Sequence, residues 1–361
     1  SSFGCPGQNF VFASKSNEIA WWQQAQFPAK WRRQGDFVMP GWDSAYRWQY
    51  NIPLQDNIHM VNPERGFVAT ANQLPADTTY PFFLGGTHDL FRGVIINRYL
   101  RQMDSISTGD MQKMQNDNYN IMAEMARPLL LKYVQRDKLD SKSALFLDKF
   151  ERWNLRADKD EEGPVVFAEW WGELGRLVWS DNIKRPDSLP VPNPQSFTLL
   201  EALLKDSAFV FIDDIGTPQK ETLDEMVTRA LQNASARIEK GPMDWAGYKA
   251  TGVRHLLQSL TPFSRLNLPI GGGTHIINAA TGNWGPSWRV VVHMTDETEA
   301  YGIYPGGQSG NPGSRYYDQF VDKWVNGEYN KLWIMKDNAS DKQEAKWKMT
   351  FTPSRSHSDF D

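Results

Sequence analysis

Two side chains frame the chemical question in this chain, Asn72 and Arg92. An asparagine amide offers two N–H donors and one acceptor oxygen, and an arginine offers five donors in a rigid fork. The amide stands near the end of NPERGFVATANQ, residues 62–73, where Phe67, Ala69 and Ala71 alternate with Val68 and Thr70. That alternation predicts a short strand whose ladder runs out at Asn72, and Arg92 falls on the helix expected next. Taken alone, an asparagine after a strand is a turn residue, and an arginine on a helix is a surface or ion-paired cation.

Other chemistry-bearing residues are weaker. Six histidines (His59, His88, His255, His275, His293 and His357) are scattered, without an i, i+4 pair or a close His/Cys/Asp cluster, so no transition-metal site is expected. Asp213 and Asp214 could approach a cation, but two acids alone fall short of the oxygens that calcium takes. A solvated strand end is the expectation there. PGGQSGNPGS, residues 305–314, places a glycine directly after Ser309. The G-x-S-x-G elbow of a serine nucleophile needs it one position later, so a tight surface loop is expected. PIGGGTH, residues 269–275, lacks the Gly-Lys-Ser/Thr ending of a phosphate loop. Cys5 is the only cysteine, which excludes an internal disulfide and a cysteine-based zinc site. The triplets at Asn233 and Asn338 match the glycosylation acceptor pattern and carry no weight.

The elements that must position these residues follow a strand–helix–strand order. Residues 1–84 read as β-rich, with a hairpin of NFVFAS and NEIAWWQQ around residues 14–17, then a Gly-, Pro- and Trp-rich loop at 27–53 stapled by aromatic rings. Residues 85–268 carry helical periodicity. Leu90, Phe91, Val94 and Ile95 share a face. Thr108 starts a stripe of Met111, Met114, Ile121, Met122 and Met125 that is interrupted near Pro128. Ser141 starts a helix with Leu145, Phe146 and Phe150, residues 164–179 form a buried helix, and residues 184–196 form a proline-rich loop. Thr217-Pro218 opens a helix bearing Leu223, Met226, Val227, Ala230 and Leu231. Residues 269–361 return to strands: a hairpin around Asp296-Glu297 and an alternating KWKMTFT. The pattern is α+β, with the two β ends expected to meet in one sheet.

The chain has 361 residues, 40% hydrophobic, with 19 Phe, 15 Trp and 12 Tyr. That is enough for one large or two ordinary packed domains and argues against disorder. A net charge of −4 without basic runs disfavours a nucleic-acid partner. No apolar run reaches the length of a membrane span, and the first residues do not read as a signal peptide. A strand is expected as early as Phe10, which suggests a chain cut from a longer one.

NPERGFVATANQ resembles the Asn-Pro-x-x-Gly-aromatic-Val…Asn signature of penicillin acylases, which are N-terminal-nucleophile hydrolases of αββα fold. PGQNFVFAS and QFPAKW…MPGW…YRWQYNIP are similar to the segments before that signature. FRGVIINRYL, MQNDNYNIMAEMARPLL, LPIGGGTHIIN, GPSWRVVV and PGGQSGNPGSRYYDQFVDKWVNGEY resemble the segments after it, in order. The resemblance runs along nearly the whole chain.

It implies the C-terminal portion of the large chain of an amidohydrolase that cleaves N-acyl amides, β-lactam side chains or acyl-homoserine lactones, through an acyl-serine. By that resemblance Asn72 is the oxyanion-hole asparagine and Arg92 the arginine beside it. The nucleophile is a serine upstream of residue 1, whose own α-amino group is the base. Ser1 is not that serine, and the fragment alone is expected to be inactive. The expected partners are the upstream part of the same precursor and a small N-acyl amide substrate, with a dimer through the truncated edge as a further expectation. Zymogen processing and a bacterial periplasmic or secreted location are implied by resemblance only. No cofactor is required. The family can hold a structural calcium, but its acidic ligand has no match here, Asp77 being displaced, and Gln73 stands where a second asparagine is common. The alternative is a non-catalytic, aromatic-rich module that binds carbohydrate or peptide.

Overall fold

The computed structural model describes residues 3–36, 38–85, 89–183, 194–334 and 349–351. Strands β1 (Gln8–Ala13) and β2 (Ile19–Gln24) pair antiparallel as a hairpin, and the short β3 (His59–Val61) adds to β2. The turn closes through Ser14 N–H to Glu18 O at 3.0 Å, with Asn17 left-handed at φ 62°. A short asparagine side chain tolerates that region. β1 is exposed along its whole length, whereas β2 carries the buried Trp21 and Gln24.

The helices are α1 (Leu90–Gln102), α2 (Thr108–Gln115), α3 (Ile121–Tyr133), α4 (Ser141–Arg152), α5 (Gly163–Trp179), α6 (Ser196–Lys205), α7 (Leu223–Ile238) and α8 (Trp245–Lys249). Their core is centred on α5, where Val165, Trp170 and Leu174 are fully buried against Met226, Ala230 and Leu231 of α7 and Phe150 of α4. Trp170 enters the core because its ring N–H finds Val227 O at 2.9 Å.

Two helix boundaries differ from the sequence reading. The stripe through Met111–Met125 is two helices, broken at residues 116–120, because Asn120 caps α3 through Ala123 N–H; Pro128 lies inside α3 without ending it. α7 starts at Leu223, not at Thr217. Thr222 and Glu225 form a reciprocal capping box, while the Thr217 hydroxyl is spent on a local turn, donating to Gln219 O at 2.8 Å. The proline-rich stretch and KWKMTFT lie largely outside the described residues.

Beyond α8, β4 (Arg289–His293) and β5 (Glu299–Ile303) form a hairpin joined by β6 (Asn330–Leu332), after the short α9 (Val321–Val325). Trp324 of α9 is buried over this second sheet, and Arg289 spans the gap, donating to Trp324 O and Asn278 Oδ1 at 2.8 Å each. Among the described residues the two β ends form separate three-stranded sheets, not the joined sheet expected from sequence. Their hairpin turns do meet, Lys15 Nζ donating to Asp296 O at 2.6 Å.

Candidate active site

The segment before Asn72 is not a strand. Its backbone groups go to a side chain instead of a ladder. Gln73 Nε2 donates to Ala69 O at 2.9 Å, and Gln73 Oε1 accepts from Ala71 N–H at 2.6 Å. At its start, Gly66 turns at φ 73°, and Arg65 lies over the Phe67 ring at 4.7 Å while donating to Phe67 O at 2.9 Å. Asn72 itself is left-handed at φ 66°. The side-chain clamp of Gln73 therefore does what pairing was expected to do, and it throws Asn72 outward at the turn.

Arg92 arrives from α1. Asp89 caps that helix, its Oδ1 accepting from Phe91 N–H at 3.0 Å, which sets Arg92 in the first turn. Arg92 Nη2 donates to Asn72 Oδ1. A guanidinium has no acceptor, so the atom facing it must be the amide oxygen. The Asn72 NH₂ is thereby turned the other way, and it has no hydrogen-bond partner among the described residues. Arg92 Nε stands 3.8 Å from Asp89 Oδ2. That same oxygen accepts from His275 Nδ1 at 3.1 Å, so the ring nitrogen that faces Asp89 bears a hydrogen. Burial raises the Asp89 carboxyl, but the His275 bond and charge, the Phe91 N–H and Arg92 together hold it below the usual carboxylate range.

His275 reaches this place through the glycine run. A Cβ at Gly271 would stand 2.5 Å from Asn118 Nδ2 and 2.7 Å from Ala157 O. Gly272 N–H donates to Ala157 O at 2.9 Å, and Trp245 Nε1 to Gly272 O at 2.7 Å. The glycines let this loop press against the helical core; the next residues then deliver His275 to the start of α1, with its ring edge-on to Phe91 at 4.8 Å.

Asn72 lines an open cleft of about 660 Å³ with Gln73, Trp21, Gln23, Asn97 and Arg65. Its described walls carry Arg65 and Arg101 and no carboxylate. The aromatic loop lies elsewhere: Trp42 and Trp48 are exposed and do not line this cleft.

The remaining candidates take local partners. Asp77 accepts from Thr79 N–H and Oγ1 at 2.9 and 2.6 Å. Asp214 accepts from Gly216 N–H at 2.9 Å in a turn, and not at a strand end. Ser309 Oγ accepts from Asn311 N–H at 3.1 Å within a loop. His59 stacks on Trp22 at 4.0 Å. Among the described residues no three His, Cys, Asp or Glu side chains are grouped to hold a metal, and no described helix is long and apolar enough to cross a membrane. His88 and His357 lie outside the described residues.

Asp89 and His275 were not selected from sequence. An acid just before an apolar periodic run is a capping signal, so Asp89 was findable. His275, 186 residues away, had no local signal.

With this geometry in place, the family model described as penicillin amidase matches residues 1–341. The chain is 25% identical over 386 residues to acyl-homoserine lactone acylase QuiP of Pseudomonas syringae pv. tomato, covering 96% of this chain and 46% of that protein. It is 24% identical to the protein of the same name from Pseudomonas aeruginosa, with the same coverage. It is 21% identical to a penicillin acylase 2 proenzyme from a Pseudomonas species, over 89% of this chain and 43% of that one. The chain thus spans about half the length of these relatives. Among solved structures, the thermostable penicillin G acylase of Alcaligenes faecalis aligns with a TM-score of 0.62 at 16% identity, covering 96% of this chain and 68% of that chain. That likeness supports the α+β fold.

Proposed function

From the premise that this chain belongs to the penicillin amidase family, we propose that it supplies the side-chain half of an oxyanion hole to an enzyme that hydrolyses N-acyl amides. A serine outside this chain attacks the amide carbonyl, and its own α-amino group takes the proton, as a base of pKa near 7.7–8.0 can. The carbonyl oxygen gains negative charge as the tetrahedral intermediate forms. Asn72 Nδ2–H meets that charge, the second donor being a backbone N–H outside this chain. The amine product leaves, and water releases the acid from the acyl-serine.

The observation that carries this reading is the bond from Arg92 to Asn72 Oδ1. It fixes the amide as a donor toward open space, and a donor fixed in advance costs no reorganisation when charge appears. Arg92 also places a positive charge beside the site, which favours the unprotonated form of a nearby amine. The substrate is a small N-acyl amide, an acyl-homoserine lactone or a β-lactam side chain. The partner of the exposed β1 strand, where Phe10, Val11 and Phe12 are 49–58% exposed, is the upstream part of the same precursor. The protein acts in the periplasm or outside the cell, and this fragment is inactive alone. The binding-module alternative rests on the aromatic loop at 27–53, whose exposed Trp42 and Trp48 do not line the cleft at Asn72; Phe3, Phe10 and Trp22 line a separate open groove on the β1–β2 hairpin.

The test is Asn72→Ala in the full-length protein. Loss of one oxyanion donor lowers kcat by about 100- to 1,000-fold. An unchanged kcat on acyl-homoserine lactones and phenylacetyl amides ends the assignment.

A further inference from the structure

Resting on the reading of Asn72 and Arg92 above, we propose that Asp89 and His275 are positioning residues that hold the Arg92 guanidinium, and through it the donor orientation of Asn72. An asparagine amide is two-faced. A half-turn of its terminal torsion exchanges oxygen for NH₂, turning a group that stabilises an oxyanion into one that repels it. Among the described residues only the guanidinium decides between the two, and a long arginine side chain left to itself samples many rotamers. Something must hold it in place.

Asp89 is built to do so. Its two oxygens are divided: Oδ1 is committed to Phe91 N–H at 3.0 Å, and Oδ2 to His275 Nδ1 at 3.1 Å. The carboxylate is therefore fixed to the frame of α1 and to the glycine loop at once. Its Oδ2 faces Arg92 Nε at 3.8 Å, with the Asp89 and Arg92 side chains 22% and 26% exposed and that of His275 19% exposed. His275 is itself wedged by Phe91 and held left-handed at φ 66°. The result is one continuous series, His275 to Asp89 to Arg92 to Asn72, that ties the loop at 269–275 to the cleft wall.

Such residues act on a charge that exists only during attack, so they change kcat and leave substrate binding alone. Asp89→Asn separates this role from folding, because asparagine caps a helix about as well as aspartate. It keeps an oxygen for Phe91 N–H and loses the charge that faces Arg92.

In the full-length enzyme, assayed with an acyl-homoserine lactone and a phenylacetyl amide, Asp89→Asn is expected to lower kcat about tenfold, with KM unchanged and thermal stability nearly so. Placed on Asn72→Ala, the same change is expected to do nothing more, because it has no amide left to orient. His275→Ala is expected to lower kcat less, and His275→Asn to restore it, since an asparagine Nδ2–H can donate where Nδ1–H did and asparagine tolerates the left-handed backbone. Full kcat in Asp89→Asn overturns the proposal, as does an equal loss in the presence and absence of the Asn72 amide. A loss in Asn72→Ala with none in Asp89→Asn fails this inference alone. No loss in Asn72→Ala fails the oxyanion reading and takes this inference with it.

Discussion

Gly93 of α1 faces the Gln73 side chain so closely that a Cβ there would stand 3.1 Å from Gln73 Cβ and from Oε1. The missing side chain lets Gln73 lie against the helix while it clamps Ala69 and Ala71, and so sets the turn at Asn72. Gly93→Ala is expected to push that clamp. The gain in helix propensity, about 1 kcal/mol, opposes the packing strain, so the melting temperature moves little. In the full-length enzyme kcat should fall several-fold. A variant with unchanged kcat would mean that the Gln73 clamp does not hold Asn72.

Arg92 has two separable properties, shape and charge. Arg92→Lys keeps the charge but loses the fork that spans Asn72 Oδ1 and Asp89, and about a tenfold loss of kcat is expected from a misplaced donor. Arg92→Met removes the charge as well. A positive neighbour lowers the pKa of an amine, so its removal raises that pKa. The acid limb of the kcat/KM profile should then move to higher pH in the methionine variant and stay put in the lysine variant. Superimposable profiles for both would remove the proposed electrostatic role.

Elements written as apolar runs bounded by turn residues, or as a helical apolar stripe, were legible in the sequence. The β1–β2 and β4–β5 hairpins, α5, and the face of α7 stand where the residues placed them. Elements decided by side-chain to backbone bonds were not. Residues 67–71 alternate like a strand, yet Gln73 takes their polar groups. Thr217-Pro218 has the form of a helix start, but the capping box five residues later wins. At the site, Asn72 and Arg92 came from family resemblance, since a turn asparagine and a helix arginine are common. The carboxylate and imidazole behind them meet only through tertiary packing.

Glu173 anchors α5 to α7 from inside the core, with its side chain 2% exposed. Burial raises its carboxyl, but bonds from Arg176 at 2.7 and 2.8 Å and from Asn233 at 2.8 Å, with the charges of Arg176 and Arg237, bring it down to about 2. A carboxyl depressed on folding contributes stability above its unfolded pKa, near 4.3, and loses it as pH falls toward about 2. Glu173→Gln leaves two arginines facing a neutral amide. Because those arginines are half exposed, a cost of about 2–3 kcal/mol is expected, at or below the range for a fully buried pair. Urea unfolding at pH 7 measures it, and the variant should also lose part of the acid sensitivity between pH 4 and 2. A cost within a few tenths of a kcal/mol would show the cluster to be only a solvated surface network.

Lys249 has linkage of the same sign in a higher pH window, but here the fold favours the neutral form. Its ammonium is half-buried at the end of α8 beside the glycine loop, donating to Thr251 Oγ1 at 2.6 Å and Gly271 O at 3.3 Å. No salt bridge to a carboxylate joins it among the described residues. Burial pushes its pKa down to about 8, against about 10.4 unfolded. Between those values the unfolded chain holds a proton that the folded chain has released, so stability rises with pH across that window. Below about pH 8 the group is charged in both states and the folded chain bears the desolvation cost, about 1–2 kcal/mol once its partial exposure is allowed for. Lys249→Met replaces the charge with an apolar side chain of similar length. It is expected to flatten the rise in stability between pH 8 and 10 and to stabilise the fold at pH 7, offset in part by the lost bonds to Thr251 and Gly271. Urea midpoints across that pH range decide the matter: an identical slope in both proteins would place the linkage on another group.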